Sequence, residues 1–157
     1  MSRKENQKAS PVRVKHAKLF FPNFSDIEND GKRSFCLNVP DAIASDLAEI
    51  GWNIKEDSYH DDIEYYINIA VSYRIKAPMV FLVMNGYKQA LTEESIWILD
   101  DYIKSGQVED ADIRFVPSYW SKAGRSGIKG YLDKMYIFVR PDDMDDEYAD
   151  IPYKAWK

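Results

Sequence analysis

Apolar and polar positions along this chain alternate mostly with the period of two that belongs to strands. The pattern is clearest from Tyr65 to Ile75, where Tyr65, Ile67, Ile69, Val71, Tyr73 and Ile75 share one face and Tyr66, Asn68, Ala70, Ser72, Arg74 and Lys76 the other, which predicts a long half-buried strand. Arg33 to Val39 alternates in the same way, with Phe35, Leu37 and Val39 inward, and Pro40 closes it. Val12 to Phe21 reads as a first strand stopped by Pro22. Met79 to Met84 reads as a continuously apolar strand after Ala77-Pro78, with Asn85-Gly86 as a turn. Two last strands are expected over about Asp112–Tyr119 and Gly130–Val139, joined by a basic, glycine-containing loop. Helical spacing occurs twice. Ile43, Leu47 and Ile50, between a capping Asp41 and Gly51, predict one helix; Ile96, Leu99 and Ile103, between Thr92 and Gly106, predict another.

Five or six strands with two short inserted helices and no regular strand-helix alternation indicate a mainly β fold. The architecture that fits is a five- to six-stranded antiparallel barrel of the oligonucleotide-binding (OB) type. The 157 residues suit one domain over residues 11–140, flanked by a basic flexible arm (1–10) and an acidic tail (141–157). The longest apolar run, Met79 to Met84, is too short to span a bilayer. The opening MSRKENQKAS has no apolar region of the export type, so a cytoplasmic location is expected. Cys36 is the single cysteine, which excludes an internal disulfide and a multi-cysteine zinc site; it reads as a small buried hydrophobe.

A formal charge of -5 argues against nucleic acid until its distribution is considered. From Pro141 onward lie Asp142, Asp143, Asp145, Asp146, Glu147 and Asp150 against Lys154 and Lys157. By contrast, Arg114 to Arg140 holds Arg114, Lys122, Arg125, Lys129, Lys134 and Arg140 against Asp133 alone, and the first 33 residues are also basic. One cationic surface on a globally acidic molecule suits a groove that follows phosphates.

The strings Phe21-Pro22-Asn23-Phe24-Ser25, Gly31-Lys32-Arg33-Ser34-Phe35 and Gly51-Trp52-Asn53-Ile54-Lys55 resemble the N-terminal half of single-stranded-DNA-binding proteins of tailed bacteriophages. Pro117-Ser118-Tyr119-Trp120, Gly127-Ile128-Lys129-Gly130-Tyr131-Leu132 and Met135-Tyr136 resemble their closing strands. The resemblance covers roughly residues 11–140. It implies an OB fold, a role in phage DNA replication or recombination, no cofactor, and an acidic tail that contacts replication proteins. Some relatives end on an aromatic or apolar residue after the acids, whereas Ile151-Pro152-Tyr153-Lys154-Ala155-Trp156-Lys157 sets two lysines among the aromatics.

Binding single strands without sequence preference needs cations along the phosphates and flat side chains under the bases. Tyr119 and Trp120, followed by Lys122, Arg125 and Lys129, combine both in one strand-loop-strand unit. Trp120 shares a face with Arg114 and is the stronger stacking candidate; Tyr119 shares its face with Ile113 and Phe115 and competes with a core reading. Phe24, flanked by Lys18, Lys32 and Arg33, is a second candidate, against a role as hydrophobic anchor of its loop. Arg74 and Lys76, on the polar face of the longest strand, are candidates for phosphate contact or for simple solvation. Phe35, Trp52 and Trp97 read as core.

Enzymatic readings are weaker. His60-Asp61-Asp62 is half of a phosphohydrolase metal site, with His16 the only other imidazole. Gly31-Lys32 lacks the earlier glycine of a phosphate-cradling loop. Gly124-Arg125-Ser126-Gly127 matches a KH loop but lies between strands rather than helices. No catalytic or metal-binding residue and no cofactor is therefore expected. An acidic protein-docking module or nucleic-acid mimic, and a metal-dependent nuclease, stand as competing readings; the sequence leaves a homodimer open.

Overall fold

The computed structural model describes residues 9–25, 32–59, 62–74, 76–148 and 150–151. Its strands are β1 (Val12–Lys15), β2 (Leu19–Asn23), β3 (Arg33–Val39), β4 (Ile54–Tyr59), β5 (Asp62–Val71), β6 (Met79–Met84), β7 (Tyr87–Leu91), β8 (Val108–Lys122) and β9 (Arg125–Val139). The helices are α1 (Asp41–Ile50), α2 (Ile98–Lys104) and α3 (Asp143–Glu147). All nine strands join one sheet; six follow the path β1-β8-β9-β5-β3-β2, with β4 added on β5, β6 on β9 and β7 on β6.

That path returns on itself. β1 pairs with β8 and β2 with β3, and the break between them is bridged on both sides, by Ala17 N–H donating to Ala111 O (2.9 Å) and Asn38 N–H donating to Lys18 O (3.0 Å). The expected first strand is thus split at His16, whose φ of 55° turns the chain from one edge to the other. Counting β1 and β2 as one bent strand, five strands close a barrel whose only parallel contact within that ring, among the described residues, joins β5 to β9, at Ile69↔Gly130 and Ala70↔Tyr131. The barrel is therefore OB-like, with more strands than expected and with parallel pairing where an antiparallel barrel was predicted.

The inward faces match the alternation of the sequence: Phe35, Leu37 and Val39 from β3, Ile67, Ile69 and Val71 from β5, Ala111, Ile113 and Phe115 from β8, and Met135 and Ile137 from β9 are all buried. Trp52 is buried edge-on against Phe115 (5.3 Å), as predicted, whereas Trp97 is 51% exposed and is not core. Gly130 lets β5 and β9 approach, since a Cβ there would meet Ile69 Cδ1 at 2.9 Å and Phe115 Cδ2 at 3.1 Å.

Several predicted boundaries move. The strand expected from Tyr65 to Ile75 runs from Asp62 to Val71, so Arg74 and Lys76 lie beyond it rather than on its polar face. β6 then takes up the same edge of β9, again parallel, at Met79↔Lys134 through Val83↔Phe138. β4, unforeseen in the acidic stretch, forms a hairpin with β5. α1 spans its predicted residues, but Pro40 is its N-cap and Asp41 its first residue, with no side-chain cap bond. Thr92 starts only a series of turns, and α2 begins at Ile98. The loop expected between the last two strands shrinks to Ala123-Gly124, whose φ values of 52° and 77° make the tight turn that suits a twisted hairpin.

α2 fixes the end of β2 through a buried carboxylate. Asp100, 6% exposed, accepts hydrogen bonds from the backbone N–H groups of Phe24 (2.8 Å) and Ser25 (3.0 Å). Phe24 itself is fully buried and stacked on Phe35 (5.2 Å, 21°). Removing one partner of a buried hydrogen bond costs the desolvation of the group left behind. Asp100→Ala should therefore lower stability by about 1–3 kcal/mol, with Asp100→Asn less damaging because one acceptor remains. Urea unfolding should show a reduced midpoint at unchanged slope; an unaltered midpoint would mean these bonds contribute nothing to the folded state.

Candidate nucleic-acid interface

β8 and β9, each 15 residues long, pair from Val108↔Val139 to Lys122↔Arg125 and carry their turn past the end of the barrel. The residues predicted as the strongest site occupy that projecting end. Trp120 faces Gly127 across the hairpin, and a Cβ on Gly127 would come within 3.0 Å of the indole atoms Cε2, Cζ2 and Nε1. The indole thus lies against the bare backbone of the neighbouring strand, still 41% exposed. Tyr119, opposite the buried Ile128, is 59% exposed and not core; its hydroxyl accepts the N–H of Ala9 (2.6 Å). Lys122, Arg125 and Lys129 are exposed. Among the described residues none of the three has a carboxylate partner at ion-pair distance.

The second predicted group lies elsewhere: Arg33 pairs with Val71 of β5, level with the middle of β9. Its aromatic member is lost: Phe24 is the hydrophobic anchor weighed against it, because a ring with no exposed face cannot stack on a base. Arg33 is committed to the fold. Its Nε donates to Phe24 O (3.0 Å), its guanidinium lies over the Tyr73 ring (5.4 Å), and Nη1 is 3.6 Å from Glu93. Burial pushes the Tyr73 phenol up to about 12, so the ring beneath that cation stays neutral. Lys32 is exposed and its carbonyl accepts from Asn23 Nδ2 (3.1 Å). Arg74 is exposed, and Lys76 Nζ lies 3.3 Å from Asp133. Lys18, also exposed, sits at the β1–β2 break, far along β8 from Trp120.

Next to the hairpin, the outward residues of the central strands form one surface. Register places Asn38 beside Tyr66 and Tyr66 beside Lys55, Phe20 beside Cys36 and Cys36 beside Asn68, and Ala70 beside Tyr131. Lys129 Nζ lies over the Tyr131 ring at 5.4 Å. Cys36 is on this outer surface and half-buried rather than core; desolvation pushes its thiol up against a smaller opposing pull from Lys55. Tyr66 and Tyr131 were not singled out from the sequence, although the period-two pattern already assigned Tyr66 to the polar face.

Asp133 organises the cations in the middle of β9. Its carboxylate accepts from Arg114 Nε (2.7 Å) and is reached by Lys76. Burial pushes this carboxyl up, but the hydrogen bonds and charges of Arg114 and Lys76 outweigh it and hold it below the ordinary range. On the neighbouring strand, Arg13 grips Asp112 through two bonds (3.0 and 2.6 Å), which lowers that carboxyl as well. Of the proposed metal half-site, His60 and Asp61 lie outside the described residues; among the described residues no cluster could hold a metal ion. No helix among them is long and apolar enough to cross a membrane.

The family model for the phage ssDNA-binding domain matches residues 1–156. The chain belongs to that family. Among solved structures, the single-stranded DNA-binding protein from bacteriophage Enc34 is similar over 83% of this chain and 81% of its own, with a TM-score of 0.57 at 16% identity. The Enc34 protein in complex with ssDNA gives a TM-score of 0.55 at 18% identity, over 87% of this chain and 89% of that one. At such identity these likenesses concern the fold. No curated protein matches the chain.

Within this phage ssDNA-binding domain, Gly127 is a positioning residue for the Trp120 indole. Gly127→Val should displace the indole from the strand and make it more accessible to acrylamide quenching. The increase should vanish in a Trp120→Phe background; its persistence there would assign the change to another tryptophan.

Proposed function

We propose that the chain binds single-stranded DNA without catalysis and with little regard to sequence, in phage DNA replication, recombination or repair. The observation that carries this reading is the outer surface of β3, β5, β8 and β9, which brings Trp120, Tyr131 and Tyr66 together with Lys129, Lys122 and Arg125, none of them ion-paired among the described residues. In OB barrels the outer face of the second and third strands, with the loops at its two ends, is where oligonucleotides bind. Here those strands are β3 and β5, and the β8–β9 turn supplies one of the ends. A neutral aromatic face accepts any base and an ammonium any phosphate, which is why this surface carries no base preference. The Enc34 neighbour solved with ssDNA supports the same reading for this chain.

A gel shift on labelled oligo-dT, with and without magnesium, tests it directly. A shifted band without cleavage supports the proposal, magnesium-dependent products point to a nuclease, and neither outcome points to an acidic protein-docking module. Trp120→Ala should weaken oligo-dT binding by about 1–3 kcal/mol, the loss usual for one stacking aromatic, with little change in melting temperature because the indole is partly exposed beyond the barrel. Normal affinity combined with a large drop in melting temperature would assign Trp120 a packing role instead.

The acidic tail belongs to the same proposal. Over its described part the chain is helical at Asp143–Glu147, with Met144 70% and Tyr148 55% exposed. A polyanion tethered beside a cationic face competes with DNA at high effective concentration, and it becomes available to replication or recombination proteins when DNA displaces it. Truncation after Arg140 should tighten oligo-dT binding at low ionic strength, with the gain shrinking as salt screens the tail. A lower melting temperature at unchanged affinity would make the tail a packed segment instead.

A further inference from the structure

β9 carries the same outward unit twice: Lys129-Gly130-Tyr131 and Lys134-Met135-Tyr136. In each, the lysine ammonium lies over the ring two residues on, at 5.4 Å for Lys129 on Tyr131 and 5.6 Å for Lys134 on Tyr136. The two units are offset by an odd number of residues, so a regular strand would turn the second into the core. The pairing with β8 shifts between Arg114↔Lys134 and Phe115↔Leu132, which makes Asp133 an extra, bulged residue. The buried set on β9 changes phase there, from Ile128 and Leu132 to Met135, Ile137 and Val139. The bulge thereby keeps both lysine-tyrosine units on the outer face, about 15 Å apart at the usual strand rise.

The second unit is larger than the first. Across the parallel β6–β9 pair, Tyr136 stacks on Phe81 (4.8 Å, 19°), and Lys88 from β7 lies 5.3 Å from the Phe81 ring and 5.8 Å from that of Tyr136. Met79 and Phe138, 53% and 37% exposed, border it on the same outer face. Arg114 and Arg13 nearby are matched by Asp133 and Asp112, whereas Lys88 and Lys134 have no carboxylate partner among the described residues. Two unmatched ammonium groups over stacked rings suit a phosphate with its base, and the patch continues the face of Tyr131 along the same strand.

We infer that Phe81, Tyr136, Lys88 and Lys134 form a second single-stranded nucleic-acid subsite, which takes the strand on from the Lys129–Tyr131 unit across the bulge to the β6–β7 hairpin. This rests on the function proposed above. The test compares the full chain with a Lys88→Gln/Lys134→Gln variant on oligo-dT lengths from about 4 to about 30 nucleotides, spanning the usual 4–16 of one barrel. On the longest oligonucleotide, loss of two phosphate contacts should reduce the salt slope of log affinity by about 1.4, at about 0.7 per contact on a single strand. The shortest should be little affected, and Lys88→Arg/Lys134→Arg should restore the slope. Wild-type binding with an unchanged slope in the Gln variant on every length would overturn the subsite and leave the proposed function standing. A change in oligomeric state without a change in slope would assign the patch to a second copy of the chain and equally overturn it. Absence of wild-type binding at any length would remove both.

Discussion

The arrangement depends on the two edges of β9. One edge is antiparallel to β8 along nearly its whole length, while the other is shared in sequence by β5 and β6, both parallel to it. A strand with both edges occupied cannot slip without flipping its buried set into solvent, and β9 contributes Ile128, Leu132, Met135, Ile137 and Val139 to that set. The change of neighbour from β5 to β6 coincides with the Asp133 bulge. There a local excess of one residue is accommodated by a carboxylate bound to Arg114 from β8 and by Lys76 from the chain between β5 and β6. The charge cluster thus marks the junction where three segments must keep register.

Much of this frame was legible from the chain. Alternation identified β3 and its inward Phe35, Leu37 and Val39, apolar continuity identified β6, and the spacing before Gly51 identified α1. What failed did so because the deciding interactions are distant in sequence. β4 is acidic and carries little apolar signal, since its partner β5 supplies the order. The residues after Val71 keep the alternation of a strand but leave the sheet, because the edge of β9 that they would occupy passes to β6. The break at His16 follows from barrel closure onto two different strands, which no local pattern contains.

The candidate surface was half legible for the same reason. Trp120 and the bases after it were visible because hairpin partners are near in sequence, and only the length of the strands was underestimated. Phe24 was ambiguous because its burial depends on Asp100, whose residue number is far removed though its carboxylate is 2.8 Å from the Phe24 nitrogen. The pairing of Phe81 with Tyr136 is a parallel contact between strands separated by a hairpin, a helix and β8, so neither ring announced the other. Tyr136 was further disguised by its odd offset from Tyr131, which only the bulge makes compatible with one face.

Net charge is a poor guide to such a surface. The total of -5 belongs to the whole chain, but electrostatic influence between exposed groups fades over a Debye length of about 8–10 Å at moderate salt. Asp112 and Asp133 are each occupied by arginine or lysine partners, whereas Lys88, Lys129 and Lys134, held above aromatic rings, have no carboxylate partner among the described residues. A lysine resting on a ring keeps its full charge and loses little hydration, so it can exchange the ring for a phosphate while the ring receives a base. The acids elsewhere then act mainly on approach and on competition for the surface, and the local matching of cation to ring decides what the surface can hold.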